Sequence, residues 1–202
     1  MQLLHLDSSI LGTASVSRQL SSEIVARLQA LHPGIQLSYR DLATDPALHL
    51  SGAHLAAFQG VVSDNESINA DLIKGNAYMD ELMAADILVI GVPMYNLSIP
   101  TSLKAWIDRI ALAGKTFRYT EHGPEGLLKN KQAYLASSRG SVYAAGSPAA
   151  MLEHQESYLT GLLAFLGITD VKVIRAEGMA FGPEAKTAAL AHAREDIAAI
   201  MA

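Results

Sequence analysis

The residues with the most evident chemical capacity in this 202-residue chain lie in the run Asp86-Ile-Leu-Val-Ile-Gly-Val-Pro-Met-Tyr-Asn-Leu-Ser-Ile-Pro100. Met94, Tyr95, Asn96 and Leu97 break an apolar stretch with a short polar loop. The loop has no lysine, no acidic pair and no cysteine. It offers backbone N–H groups, one aromatic ring, and one amide that both donates and accepts. Such groups suit a flat, neutral, hydrogen-bonding ring better than a metal or a bare phosphate. The competing reading is a plain turn, with Asn96 tolerating an unusual backbone angle and Tyr95 serving as a core aromatic.

Two further loops have related character. Asp7-Ser-Ser-Ile-Leu-Gly-Thr-Ala-Ser-Val-Ser-Arg18 carries hydroxyls at Ser9, Thr13, Ser15 and Ser17 just before a helical pattern. A helix N-terminus presents free N–H donors and partial positive charge, so added hydroxyls make a phosphate seat without a lysine. A serine N-cap with a solvated turn is the alternative. Arg18 either helps by charge or points outward. The third loop is Ser138-Arg139-Gly140-Ser141, where Gly140 permits close backbone approach to a ring. A strand-ending turn with a surface arginine is its alternative.

The elements that must position these loops alternate along the chain. The apolar run after Asp86 suits a strand buried on both faces of a parallel sheet. Pro100-Thr101-Ser102 starts the next helix, through Leu103, Trp106, Ile107 and Ile110. Leu3–Leu6 reads as a first strand. Val16, Leu20, Ile24, Leu28 and Leu31 then recur at helical spacing until Pro33-Gly34. Ile35–Tyr39 reads as a short strand near the sheet edge. Residues 41–62 look irregular, with short helical turns around Ala53–Phe58. Ser63 and Glu66 suggest a capping box for a helix carrying Ile68, Leu72, Ile73, Met79, Leu82 and Met83. Residues 114–124 suggest a β-excursion around a Gly-Pro turn. Gln132–Ala136 is a fourth core strand, a helix is expected from about Pro148 to Leu166, and Val171–Ile174 is a fifth strand. A last, alanine-rich helix starts near Pro183 and Glu184. Five strands with helical crossovers predict one α/β domain over residues 1–202, a doubly wound parallel sheet of order 2-1-3-4-5. In that topology the three loops meet at one sheet edge.

Composition narrows the chemistry. With no cysteine, the chain lacks thiol nucleophiles, disulfides and thiolate metal sites, so redox work requires a bound cofactor. A formal charge of −5 argues against nucleic acid. No signal peptide and no membrane-length apolar run is evident, so a cytoplasmic protein is expected. Gly114-Lys115-Thr116 ends like a phosphate-binding loop, but Arg109 stands where its first glycine is required. No G-x-G-x-x-G and no G-x-S-x-G occurs. The seven histidines show no local zinc spacing, and His122 reads as a solvated loop residue. Asp7 is a lone acid after strand one, where a phospho-acceptor receiver would show an acidic cluster.

Pro93-Met-Tyr-Asn-Leu-Ser-Ile-Pro100, Gly114-Lys-Thr-Phe-Arg-Tyr119 and Ser138-Arg-Gly140 together resemble the FMN-dependent NADH-azoreductase and quinone reductase family, over essentially the whole chain. The resemblance implies a flavodoxin-like homodimer with FMN at two interface sites. It implies FMN phosphate on Ser9, Ser15, Val16 and Ser17. It implies the flavin ring on Met94, Tyr95, Asn96 and Leu97 and on Ser138, Arg139, Gly140 and Ser141. Asn96, Tyr119 and Leu162 are the implied substrate-facing positions. Leu97 and Leu162 stand where the family often has aromatics, and Ser141 where a second glycine is frequent.

The expected reaction is reduction of quinones and azo compounds by NADH or NADPH in two successive half-reactions, with no metal. The flavin carries the chemistry, and no side chain is expected to be an indispensable acid or base. A non-enzymatic FMN electron carrier is the rival. A flavin-free binding module is a second, which the lack of an acidic cluster disfavours.

Overall fold

Every residue from Ile87 to Pro93 is buried, and this stretch is the central strand of a five-stranded sheet. The computed structural model describes residues 1–201. The chain runs β1 (Gln2–Asp7), α1 (Val16–Leu31), β2 (Gln36–Asp41), α2 (Gly52–Phe58), α3 (Glu66–Ala84) and β3 (Ile87–Pro93). It continues through α4 (Thr101–Ile110), β4 (Phe117–Thr120), β5 (Gly123–Gly126), β6 (Gln132–Ser138), α5 (Glu156–Leu166), β7 (Asp170–Ala176) and α6 (Pro183–Ala198). All sheet pairings are parallel, in the order β2-β1-β3-β6-β7. This is the expected flavodoxin-like order, with the β4–β5 hairpin inserted before the fourth sheet strand.

Alternation along the strands builds a core on each face. Leu4, Leu6, Leu88, Ile90 and Leu135 meet α3, α4 and α5 through Met79, Leu82, Trp106, Ile107 and Leu163. Leu3, Val89, Tyr134 and Ile174 meet α1 and α6 through Leu20, Ile24, Leu28 and Ile197. Two buried layers hold the carboxyl ends of β1, β3 and β6 rigidly side by side, and that edge carries the loops of interest. Among the described residues no helix is long and apolar enough to cross a membrane.

Several boundaries differ from expectation for physical reasons. Asn65, not Ser63, caps α3: its Oδ1 accepts from the Ser67 and Ile68 N–H groups at 2.9 and 3.2 Å. Ser63 Oγ instead accepts from Asn65 N, so no Ser63–Glu66 box forms. The buried face of α3 is Asp71, Gly75, Tyr78, Met79 and Leu82, leaving Ile73 and Met83 exposed. Gly123 and Pro124 lie within β5, and the hairpin turns at Glu121-His122. The helix expected from Pro148 starts at Glu156, after a short 3-10 turn over Ala150–Leu152. Glu153 sets that start by accepting from the N–H groups of Gln155, Glu156 and Ser157 at 2.8, 2.7 and 3.0 Å.

Candidate functional site

The first loop leaves β1 through a hydrogen-bonded hinge. Ser8 Oγ donates to Gly91 O at 2.7 Å, fastening the loop to β3. Asp7 is buried beneath Gly91 and accepts from Ser21 Oγ at 2.8 Å and Tyr39 OH at 3.1 Å. A Cβ on Gly91 would lie 2.3 Å from Asp7 Oδ1, so only glycine allows this approach. Loss of solvation, then the charge and hydrogen bond of Asp7, push the Tyr39 hydroxyl up to about 12.

Arg18 neither points outward nor faces the loop's open side. It donates to Ser9 O at 2.8 and 3.2 Å and to both Asp41 oxygens at 2.6 and 2.9 Å, so it braces the loop from behind. The hydrogen bond to Asp41 raises the Arg18 pKa, against the opposing effect of burial. Burial works against the Asp41 carboxylate, but Arg18 and the N–H groups of Ala43 and Thr44 outweigh it and lower its pKa.

Ser15 is the α1 N-cap, accepting from Arg18 N at 3.3 Å. Its Oγ lies 3.1 Å from Ser17 Oγ. Among the described residues, the Val16 and Ser17 N–H groups donate to nothing. This is an N-terminal turn with two N–H donors in reserve and a pair of hydroxyls bonded to each other.

The second loop is a tight hairpin closed by Tyr95 N to Ser98 O at 2.9 Å and Ser98 N to Tyr95 O at 3.1 Å. Asn96 and Leu97 at its tip both have positive φ, 48° and 73°. Two left-handed residues in succession define the turn, and for leucine that conformation is strained. Neither tip N–H donates within the described residues. Tyr95 is half-buried rather than core. Its hydroxyl lies 3.1 Å from Ser9 Oγ and accepts from Ile10 N at 3.2 Å, joining the first two loops.

The third loop corrects the surface-arginine reading. Arg139 is 2% exposed. It donates to Gln155 Oε1 at 3.0 Å and Glu153 Oε1 at 3.2 Å, pairs with Glu156 at 2.6 Å, and lies 3.6 Å from Glu177. Gln155 Nε2 donates in turn to Val92 O on β3 at 2.7 Å. Burial raises the Glu153 pKa, but the helix N–H groups it caps outweigh that and bring it below the usual range. Main-chain bonds from Met179 N to Arg139 O and from Ala180 N to Gly140 O tie the third loop to the turn after β7. A Cβ on Gly140 would meet only Ala180 Cβ, at 3.7 Å, so the protein itself does not demand glycine there.

The three loops enclose one cavity of about 260 Å³, lined by Ser9, Ser15, Val16, Met94, Tyr95, Ser138, Arg139 and Gly140 among the expected residues. Sequence reasoning missed Leu11, Ala14, Met179 and Lys186, which also line it. Ser17 supports it through Ser15, and Ser141 accepts from Gly178 N behind it. Asn96 lies on the far side of Tyr95, in an adjoining cavity of about 520 Å³ beside the start of α4. Leu97 O accepts from His154 N at 3.2 Å.

Tyr119 and Leu162 lie elsewhere in the chain. Tyr119 is 75% exposed on the hairpin and lines a separate cavity of about 700 Å³ with α2, α3 and α4. Leu162 packs half-buried against the core between α4 and α5.

The fold and the edge cavity together define a flavodoxin-like α/β protein with a ligand pocket at the carboxyl ends of its strands. The family model described as flavodoxin-like fold matches residues 1–201. A relative from Bradyrhizobium sp. (strain BTAi1), named FMN-dependent NADH:quinone oxidoreductase, is 50% identical over 100% of both chains. One of the same name from Methylocella silvestris is 52% identical, covering 98% of this chain and 97% of its own. A solved azoreductase from Bacillus anthracis superposes with a TM-score of 0.87 at 27% identity, over 98% of this chain and 97% of that one. The chain therefore belongs to the flavodoxin-like azoreductase and quinone reductase family.

Proposed function

We propose that this chain is an enzyme that binds FMN at the three-loop edge and uses NADH or NADPH to reduce quinones and azo compounds in two successive half-reactions. The observation that carries the reading is the set of donors left unused along one loop edge, which spans the cavity lined by Ser15 and Val16 and the adjoining one lined by Asn96. Ser15 and Ser17 hydroxyls with the Val16 and Ser17 N–H groups form one end, suited to a phosphate. The unpaired N–H groups of Asn96 and Leu97, with the glycine-permitted approach at Gly140, form the other, suited to a ring edge. The residues present therefore fit FMN. The relatives' names add FMN, NADH and quinone as the chemistry their own sites handle.

When bound, the flavin supplies hydride acceptance from the nicotinamide and electron delivery to the oxidant. The chain's part is binding and orientation. Ser9, Ser15 and Ser17 hold the phosphate end. The N–H groups of Asn96 and Leu97 and the Gly140–Ser141 main chain would be the donors to the ring, where they would favour negative charge on it. Arg18 and Arg139 are positioning residues: each fixes a loop from behind and has its charge neutralised by carboxylates. No side chain is required as acid or base, and water delivers protons.

The proposed assembly is a homodimer. Tyr119 is remote from its own chain's pocket, and the adjoining surface is apolar, with exposed Leu55, Phe58, Val61 and Val62. A second copy covering that face would exclude it from water and bring Tyr119 toward a neighbouring pocket.

The test is an anaerobic visible spectrum followed by steady-state rates. NADH or NADPH should bleach the bound flavin, quinone should restore it, and rates varied in both substrates should give parallel double-reciprocal lines. Intersecting lines would rule out separate half-reactions. FMN binding without nucleotide oxidation would leave only the carrier.

A further inference from the structure

We propose that Lys186 is a binding residue for the FMN phosphate, supplying the one uncommitted positive charge at the pocket. The inference rests on the reading that FMN occupies this cavity.

Among the described residues the cavity is lined by two cationic side chains, Arg139 and Lys186. Arg139 is spent on Glu153, Glu156 and Glu177. Arg18, behind the serine loop, is held by Asp41 and does not line the cavity. Among the described residues, Lys186 has no carboxylate within ion-pair distance and its ammonium makes no hydrogen bond. It lines the same cavity as Ala14, Ser15 and Val16, the residues of the proposed phosphate seat.

The position is also locally unfavourable for a lysine. Lys186 is the fourth residue of α6, and its own N–H closes the helix's first turn on Gly182 O at 3.0 Å. The positive end of a helix disfavours a cation there. No acid stands beside it on the helix face, since Gly182, Pro183, Ala189 and Leu190 occupy the i±3 and i±4 positions and the first-turn acid, Glu184, is at i−2. A cation with no intramolecular partner, beside a seat built for an anion, marks a place where local stability yields to binding.

A phosphate monoester carries about −1.5 to −2 charge at neutral pH. Hydroxyls and main-chain N–H groups solvate that charge but do not neutralise it. An ammonium does, and a long, flexible stem lets it reach in as a point charge. Lys186 therefore selects the phosphorylated flavin over riboflavin.

The experiment measures FMN and riboflavin dissociation constants by quenching of flavin fluorescence, for the wild type, Lys186→Met and Lys186→Arg. Unfolding in urea checks that each variant is folded. The expected result is FMN binding weakened roughly five- to tenfold in Lys186→Met. Riboflavin binding should be unchanged, and Lys186→Arg should recover most of the loss. Raising salt from about 50 to about 500 mM should weaken wild-type FMN binding more than that of Lys186→Met. Equal FMN affinity in wild type and Lys186→Met would overturn the proposal. So would equal weakening of FMN and riboflavin. A wild type that binds no FMN would overturn both this proposal and the cofactor reading; a wild type that binds FMN with an indifferent Lys186→Met overturns this proposal alone.

Discussion

Two polar regions of this molecule look alike in composition and behave oppositely. One is the loop edge above β1, β3 and β6. The other lies under the larger cavity of about 700 Å³ between α2, α3 and α4. There Arg109, Asp71 and His54 are all buried. Arg109 donates to Asp71 at 2.7 Å and to Leu48 O at 2.8 Å. Asp71 also accepts from Leu48 N at 2.7 Å, and His54 Nδ1 accepts from Ser51 N at 3.2 Å. Only Arg109 Nη1 is left without a partner in that knot. The loop edge has the reverse arrangement. Arg18 and Arg139 are locked by carboxylates, while Lys186 and the N–H groups of Val16, Ser17, Asn96 and Leu97 have no partner among the described residues. Cavity size and uncommitted donors therefore point to different places, and the proposed site follows the donors.

The comparison can be broken most forcefully at Arg109. Arg109→Met leaves Asp71 buried without its ion pair, which should cost about 3–5 kcal/mol of stability by urea unfolding. The folded fraction should still bind FMN with unchanged affinity. A change in FMN affinity instead would make the knot part of the site.

Gly91→Ala attacks the scaffold beneath the edge. Its Cβ would run into Asp7 Oδ1 and crowd Ser21 Oγ and Ser17 O, at 2.3, 3.1 and 3.3 Å. Overpacking of this kind costs about 1–3 kcal/mol. Because Ser17 O is one of the groups displaced, FMN affinity should fall together with thermal stability.

Leu97→Gly separates main chain from side chain at the loop tip. Relief of the left-handed strain should raise stability by about 1 kcal/mol, net of glycine's entropy cost. FMN binding should survive, since the tip contributes N–H groups. Loss of binding would show that the leucine side chain holds the ring.

The smallest effect concerns acid. The native Glu153 pKa lies below its ordinary value of 4.5, chiefly through N–H groups that outweigh burial. A lowered native pKa contributes stability that is full above 4.5 and is lost as pH falls through the native value. Glu153→Gln should therefore flatten the acid side of the stability–pH curve and leave pH 7 to 8 parallel to wild type. An unchanged acid slope would mean the cap carries no linkage.

The sheet order was legible because an unbroken apolar strand flanked by helical periodicities admits few topologies. The three loops were legible for the same reason, since strand order alone brings them together. Arg139 was misread because its partners, Glu153, Glu156 and Glu177, come from downstream elements that local spacing does not connect to it. Ser63 and Glu66 match the capping-box spacing, while the cap itself is chosen by which side chain reaches two N–H groups, and that is Asn65. Lys186 did carry a signal, a first-turn lysine with no acid at i±3 or i±4, but that signal gains meaning only once the lysine is seen to line the same cavity as the serine loop. Tyr119 and Leu162 came from resemblance, and a single chain leaves them away from the pocket.

The central claim is that serine hydroxyls and free main-chain donors at this edge hold FMN. Equilibrium titration of FMN into wild type and into the Ser15→Ala/Ser17→Ala double variant, with folding checked by circular dichroism, tests it most directly. The account predicts a saturable site in the wild type and binding at least about tenfold weaker in a folded double variant. Equal binding by the two proteins, or no binding by the wild type, would contradict it.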